Sequence, residues 1–237
     1  ILDEAAKKKS PKGSDAQLIG DFYSSCMDEN AIEKLDSKPL KPYFKKIDKI
    51  KTAKDLQRTI AEFHTMGAGM FFGFGGGADA KNSTLNIANA NQGGLSLPNK
   101  EFYTKDDPKS KETREKFIEY MTNMFKLLGD SPDQASANAQ TVMKIQNRLA
   151  IASKAPVELR NPDNRYNKMS IADAQKITPN FSWADYMKVR GVPAIKEINL
   201  GMPDFFKELD KVFADTSLND LKIYMRWMVL NGTAGRL

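Results

Sequence analysis

The chain has 237 residues, 41% of them apolar and 28% charged, with 36 Lys and Arg against 30 Asp and Glu for a formal net charge of +6. That size allows a sizeable core in one or two domains, and no run of about eighteen apolar residues is present to span a membrane. The positives are mainly lysines spread along the whole length and flanked by carboxylates at the densest patches, residues 7–9 and 45–51, so they read as solvated faces; neither an RNA-reading aromatic motif nor zinc-finger spacing points to a nucleic-acid partner.

The N-terminus lacks both Met and the basic-then-apolar order of a signal peptide, which reads as a piece of a larger protein. Ser14 then caps a helix on which Leu18, Phe22 and Cys26 recur every four residues as one apolar stripe. Thr52 and Asp55 form a capping pair ahead of Leu56, Ile60, Phe63 and His64 on one face. Residues 73–94 carry four glycines in five positions and no helical period; they predict an irregular connection with at most a short strand pair through residues 85–88. The following segment NQGGLSLPNKEFY, residues 91–103, combines paired glycines and Pro98 with Leu95, Leu97, Phe102 and Tyr103. The chain must turn there and stay put, so this is an anchored corner rather than a free loop.

Helical period returns over residues 111–129, with Phe117, Tyr120, Met121, Met124 and Leu128 on one side and Gly129 placed to end the helix. Ser131 and Pro132 open the next helix, with Val142, Ile145, Leu149 and Ala152 inward. Residues 155–169 form a second break. Short helices are expected near residues 171–176 and 183–189, then a helix over 203–214 and a last one opened by Ser217 and Asp220. Period-two alternation is nearly absent. The fold class is therefore mainly α, one multi-helix unit over residues 1–237.

No complete active site can be assembled from these residues. The glycine run ending at Gly77 fails as a phosphate loop, because Lys81 comes four residues later and is followed by Asn82. His64 is the only histidine, and HTMGA has neither the Glu nor the second His of a zinc helix, so it reads as a hydrogen-bonded core residue. Cys26 is the only cysteine; it is a buried thiol or half of a bridge to residues outside the chain. The carboxylate pairs Asp28/Glu29 and Asp106/Asp107 are adjacent and read as caps or surface. N-x-S/T sequons begin at Asn82, Asn180 and Asn231. If Phe205, Phe206, Tyr224 and Trp227 include exposed residues, they form an apolar face for docking. The composition also leaves room for a stand-alone helical module that binds a protein or anionic partner through its lysine faces.

Several stretches, in order, resemble the N-terminal half of the neprilysin family of zinc metallopeptidases. FYSSCMDENAIE is similar to that family's Ser-Cys-x-x-Glu helix, and QGGLSLPNKEFY to its Gly-Leu-x-Leu-Pro segment, on Gly94, Leu97, Pro98 and Tyr103. VMKIQNRLAIAS and LRNPDNRYNKMSI are similar to a family helix and its Arg…Tyr-Asn-Lys-Met element, on Arg160, Tyr166, Asn167, Lys168 and Met169. NFSWADY and DLKIYMRWMVLNGTAGRL, with Arg226 and Trp227, are similar in kind. The resemblance implies two largely helical lobes around a cavity, a catalytic lobe holding zinc through HExxH, and a second lobe that limits substrates to oligopeptides. On that reading this chain is much of the non-zinc lobe. Its partners are the zinc lobe of the same protein and oligopeptide substrates. No catalytic or metal residue transfers to it, because the zinc of the parent enzyme binds elsewhere. The parent is secreted, periplasmic or membrane-anchored, and Cys26 matches a family cysteine that pairs with a distant partner in secreted members.

Overall fold

A computed structural model describes residues 1–192 and 195–234; the last three residues of the segment 220–237 lie outside that range. The chain divides into two compact units, one at residues 1–41 and one at residues 42–235.

In the first unit, helix α1 (Leu2–Lys7) packs on α2 (Asp15–Met27), followed by α3 (Glu29–Leu35) and a 3₁₀ turn at Lys38–Leu40. Ser14 caps α2 through the amide of Gln17, as its sequence position predicts. Gly20 is the buried residue of α2, and a side chain there would run into the backbone of Ala5. The predicted Leu18–Phe22–Cys26 stripe does not turn inward. Leu18 is 57% and Phe22 73% exposed, and the Cys26 thiol is exposed rather than buried. Helical spacing aligned these side chains correctly but could not say that the close α1 contact would use the glycine face instead.

The second unit is built on α4 (Lys41–Asp48), α5 (Ala53–Thr65), α6 (Lys100–Thr104), α7 (Pro108–Leu127), α8 (Pro132–Ala152), α9 (Pro156–Leu159), α10 (Ile171–Ile177), α11 (Trp183–Val189), α12 (Pro203–Asp215) and α13 (Leu218–Thr233). Local capping explains most of the starts. Thr52 and Asp55 make the reciprocal capping box of α5, Ser131 and Ser217 accept from the third helical amide of α8 and α13, and Gly129 ends α7 at φ +100. Helix α8 is central, packing against α6, α7, α12 and α13.

The connection at residues 73–94 is a long antiparallel hairpin, not an irregular segment. β1 (Phe72–Asp79) pairs with β2 (Asn82–Gln92) in the register Phe72↔Gln92 to Ala78↔Asn86, with an irregularity between Ala78 and Asp79. β4 (Glu197–Leu200) adds in parallel to β2, and β3 (Lys168–Ser170) adds antiparallel to β4, giving the order β1-β2-β4-β3. Glycines and asparagines hide these strands from a hydropathy pattern. Only Ile87 and Ala90 of β2 are buried, so alternation of apolar residues never develops.

Two aromatic clusters fill the core. Phe72 sits among Phe181, Trp183, Tyr186 and Phe206, and Trp227 among Phe117, Tyr120 and Phe125. The expectation that Phe205, Phe206, Tyr224 and Trp227 form an exposed face is wrong: all four are buried. Each such ring contributes about 1.5–3 kcal/mol by leaving water.

Candidate functional site

Four elements converge on the corner between β2 and α6. Gly94 turns the chain at φ +78, in the left-handed region, and a Cβ there would stand 2.6 Å from the Tyr224 hydroxyl and 2.8 Å from the Phe71 carbonyl oxygen. Phe71 also lies in the left-handed region, at φ 59, an uncommon place for an aromatic residue. The Tyr224 hydroxyl stabilises both bends at once. It accepts the Phe71 amide at 3.1 Å and donates to the Gly94 carbonyl at 2.9 Å, while its ring lies 4.4 Å from that of Phe71.

Two residues further on, the amides of Ser96 and Leu97 donate to the Tyr103 hydroxyl at 3.1 Å and 2.9 Å, and that hydroxyl donates to Gln146 Oε1 at 2.8 Å. The Ser96 hydroxyl receives Trp227 Nε1 at 2.8 Å and Gln146 Nε2 at 2.7 Å. Asn99 then caps α6 through the amide of Glu101. The corner is thus held by polar side chains from α6, α8 and α13. Leu95 and Leu97 are half-buried and Pro98 is exposed, so the leucines add packing while the hydroxyl and indole groups set the geometry. Burial pushes the Tyr103 phenol up to about 12 and raises Tyr224 further, so both stay protonated donors at any physiological pH.

The Tyr-Asn-Lys-Met element forms a second polar cluster beside the hairpin tip. Asp79, 3% exposed, accepts the Lys81 amide at 2.9 Å, the Tyr166 hydroxyl at 2.9 Å and Lys168 Nζ at 3.3 Å, and these hold its carboxyl below the usual range. Lys168 also reaches Glu197 at 3.1 Å. The Asn167 amide donates to Asn199 Oδ1 at 2.7 Å, and its side-chain nitrogen to the Gly201 carbonyl at 2.8 Å. Met169 pairs with Ile198 across β3 and β4. Arg160 is exposed at the end of α9. Arg226 is 2.7 Å from Asp48 and lies over the Phe44 ring.

His64 is a core residue, as its helical spacing predicts. Nδ1 is 2.7 Å from the Tyr186 hydroxyl and Nε2 2.8 Å from the Met70 carbonyl, and burial lowers its pKa to about 4. With both ring nitrogens engaged it offers nothing to a metal, and among the described residues no three His, Cys, Asp or Glu side chains are grouped to share one. These residues do not fit a zinc ion. The asparagines at 89, 167 and 199, joined by the bond from Asn199 Nδ2 to Asn89 Oδ1 at 2.9 Å, are site-like groups that sequence reasoning missed at 89 and 199. The signal for Asn89 was the density of Asn across residues 82–91, and Asn199 had none.

The profile of peptidase family M13, N-terminal region, matches residues 1–237. Neprilysin-3 of Drosophila melanogaster is 27% identical over 229 residues, covering 90% of this chain and 29% of that protein. Endothelin-converting enzyme 1 of Bos taurus is 26% identical over all of this chain and 32% of its own length. Among solved structures, the Mycobacterium tuberculosis zinc metalloprotease Zmp1 in complex with inhibitor superposes with a TM-score of 0.89 at 26% identity, over 98% of this chain and 36% of that one. PepO of Lactobacillus rhamnosis shares the fold, with a TM-score of 0.73 at 17% identity. The chain therefore spans less than two-fifths of the length of the relatives it matches.

Proposed function

The chain belongs to peptidase family M13, as its N-terminal region, and from that premise we propose that it is the helical lobe walling the substrate cavity of a zinc-dependent endopeptidase. The observation that carries this reading is the superposition on Zmp1 over 98% of the chain. A zinc ion in such a parent would be held by residues outside this chain and would supply Lewis-acid chemistry for peptide hydrolysis. The lobe's own work is to set which peptides arrive. A wall that excludes by size has to resist deformation, and the corner at Gly94 to Tyr103 is cross-linked by hydrogen bonds from three helices. Its partners on this reading are the zinc lobe of the same polypeptide and oligopeptides. The parent works outside the cytoplasm, in keeping with the exposed Cys26 matching a family cysteine that pairs at a distance. No described helix is long and apolar enough to cross a membrane.

The test is made on the full-length protein with a graded series of substrates, from pentapeptides to folded proteins. Chelation is expected to abolish hydrolysis, and kcat/KM is expected to collapse above a limiting length. Folded proteins cleaved as fast as short peptides would refute the size-restricting role, and chelator-insensitive cleavage would refute the zinc assignment.

A further inference from the structure

The glycines of this chain fall into two groups. A Cβ at Gly93 or Gly94 would be at or inside 3.2 Å of neighbouring backbone, so those positions are glycine for reasons internal to the fold. A Cβ at Gly75 or Gly76 would meet nothing within 4 Å, and at Gly73 or Gly77 would make only ordinary contact at 3.9 Å. None of these four is at positive φ. Glycine inside a strand costs stability relative to alanine, and here neither conformation nor packing among the described residues requires it.

These glycines lie on β1, which pairs with β2 alone and is an edge of the sheet. Gly73, Gly75 and Gly76 are exposed, and because they have no side chains it is the backbone itself that solvent reaches. Edge strands are normally blunted by Lys, Pro, a central bulge or a covering element. From Phe72 to Ala78 there is no charged residue and no Pro, and the one irregularity lies at the far end, beside Asp79. An open edge presents alternate amides and carbonyls at strand spacing, which is the recognition chemistry of an extended polypeptide.

The faces of β1 sharpen the fit. Gly73, Gly75 and Gly77 share one face, opposite Asn91, Asn89 and Ile87, so β1 itself places no side chain on that face in the way of a guest's. The other face carries Phe74, whose ring is 5.0 Å from Tyr186 and lies under the Arg190 guanidinium at 5.4 Å. Among the described residues no carboxylate pairs with Arg190, so this face suits an aromatic or acidic guest side chain.

We propose that the edge of β1 binds an extended oligopeptide by strand addition, with its bulky side chains over the glycine face. That the guest is an oligopeptide rests on the proposed function; the open edge does not. The test titrates the isotope-labelled 237-residue chain with the capped heptapeptide Thr-Tyr-Thr-Val-Thr-Tyr-Thr and reads amide hydrogen exchange. Exchange should slow by about tenfold at alternate residues between Gly73 and Gly77, and the same peptide N-methylated at every residue, with no donor left on either edge, should give no protection. Gly75→Val should leave the melting temperature unchanged or higher while weakening the protection. No slowing at millimolar peptide, or equal slowing by the N-methylated form, would overturn the proposal. Protection that grows with protein concentration in the absence of peptide would overturn it in favour of pairing between two copies. Neither result bears on chelation or substrate length in the full protein, so the two readings fail separately.

Discussion

The hydroxyl of Tyr224 and the carbonyl of Gly94, 130 positions apart in sequence, are joined by a 2.9 Å hydrogen bond, and the same hydroxyl closes off the space a side chain at 94 would need. Gly94→Ala is therefore expected to destabilise the chain by about 3 kcal/mol, combining the left-handed backbone penalty with overpacking. Tyr224→Phe leaves the Phe71 amide and Gly94 carbonyl unpaired, at about 1–3 kcal/mol. In urea unfolding the double variant should fall short of the sum, since each change removes the same contact. Full additivity would show that the two residues act independently.

Tyr103→Phe strips the acceptor from two backbone amides and the donor to Gln146. A loss of about 2 kcal/mol is expected, together with faster exchange at the Ser96 and Leu97 amides. Unchanged exchange at those amides would remove Tyr103 from its anchoring role.

His64 makes stability depend on pH in a defined direction. Its folded pKa of about 4 lies below the ordinary 6.5, so protonation favours the unfolded chain. The contribution is fully present above pH 6.5 and is lost as the pH falls toward 4. Between pH 7 and pH 5 the loss should be about 2 kcal/mol, before most carboxylates titrate. His64→Gln should start less stable at pH 7 but show a flatter slope over that interval. A variant with the same slope as the parent would exclude His64 as the source.

Cys26 is exposed on α2. The native 237-residue chain should react with a disulfide reagent at one thiol, without denaturant and at the rate of a free exposed cysteine. Reaction only after unfolding would contradict its placement. Phe22→Ser, on the same exposed stripe, should change stability by less than about 0.5 kcal/mol.

The helices were legible because their signals are local. Ser14, Thr52, Ser131 and Ser217 each receive the amide three residues on, a relationship that four consecutive letters contain. The Ser-Cys-x-x-Glu, Gly-Leu-x-Leu-Pro and Tyr-Asn-Lys-Met stretches were enough to indicate the family. Sequence also identified His64 as a core residue from its spacing on α5.

Tertiary structure alone decided the rest. That residues 72–92 belong to a four-stranded sheet rather than an irregular connection depends on β4 arriving from more than a hundred residues away to pair with β2. Whether Phe22 faces solvent and Phe206 the core, both apolar and both on helices, was settled by which neighbours docked there. The corner at Gly94 is held by hydrogen bonds from Gln146, Tyr224 and Trp227. A polar group buried in a fold must find its partner wherever the chain happens to pass, and nothing in its own neighbourhood along the sequence encodes that meeting.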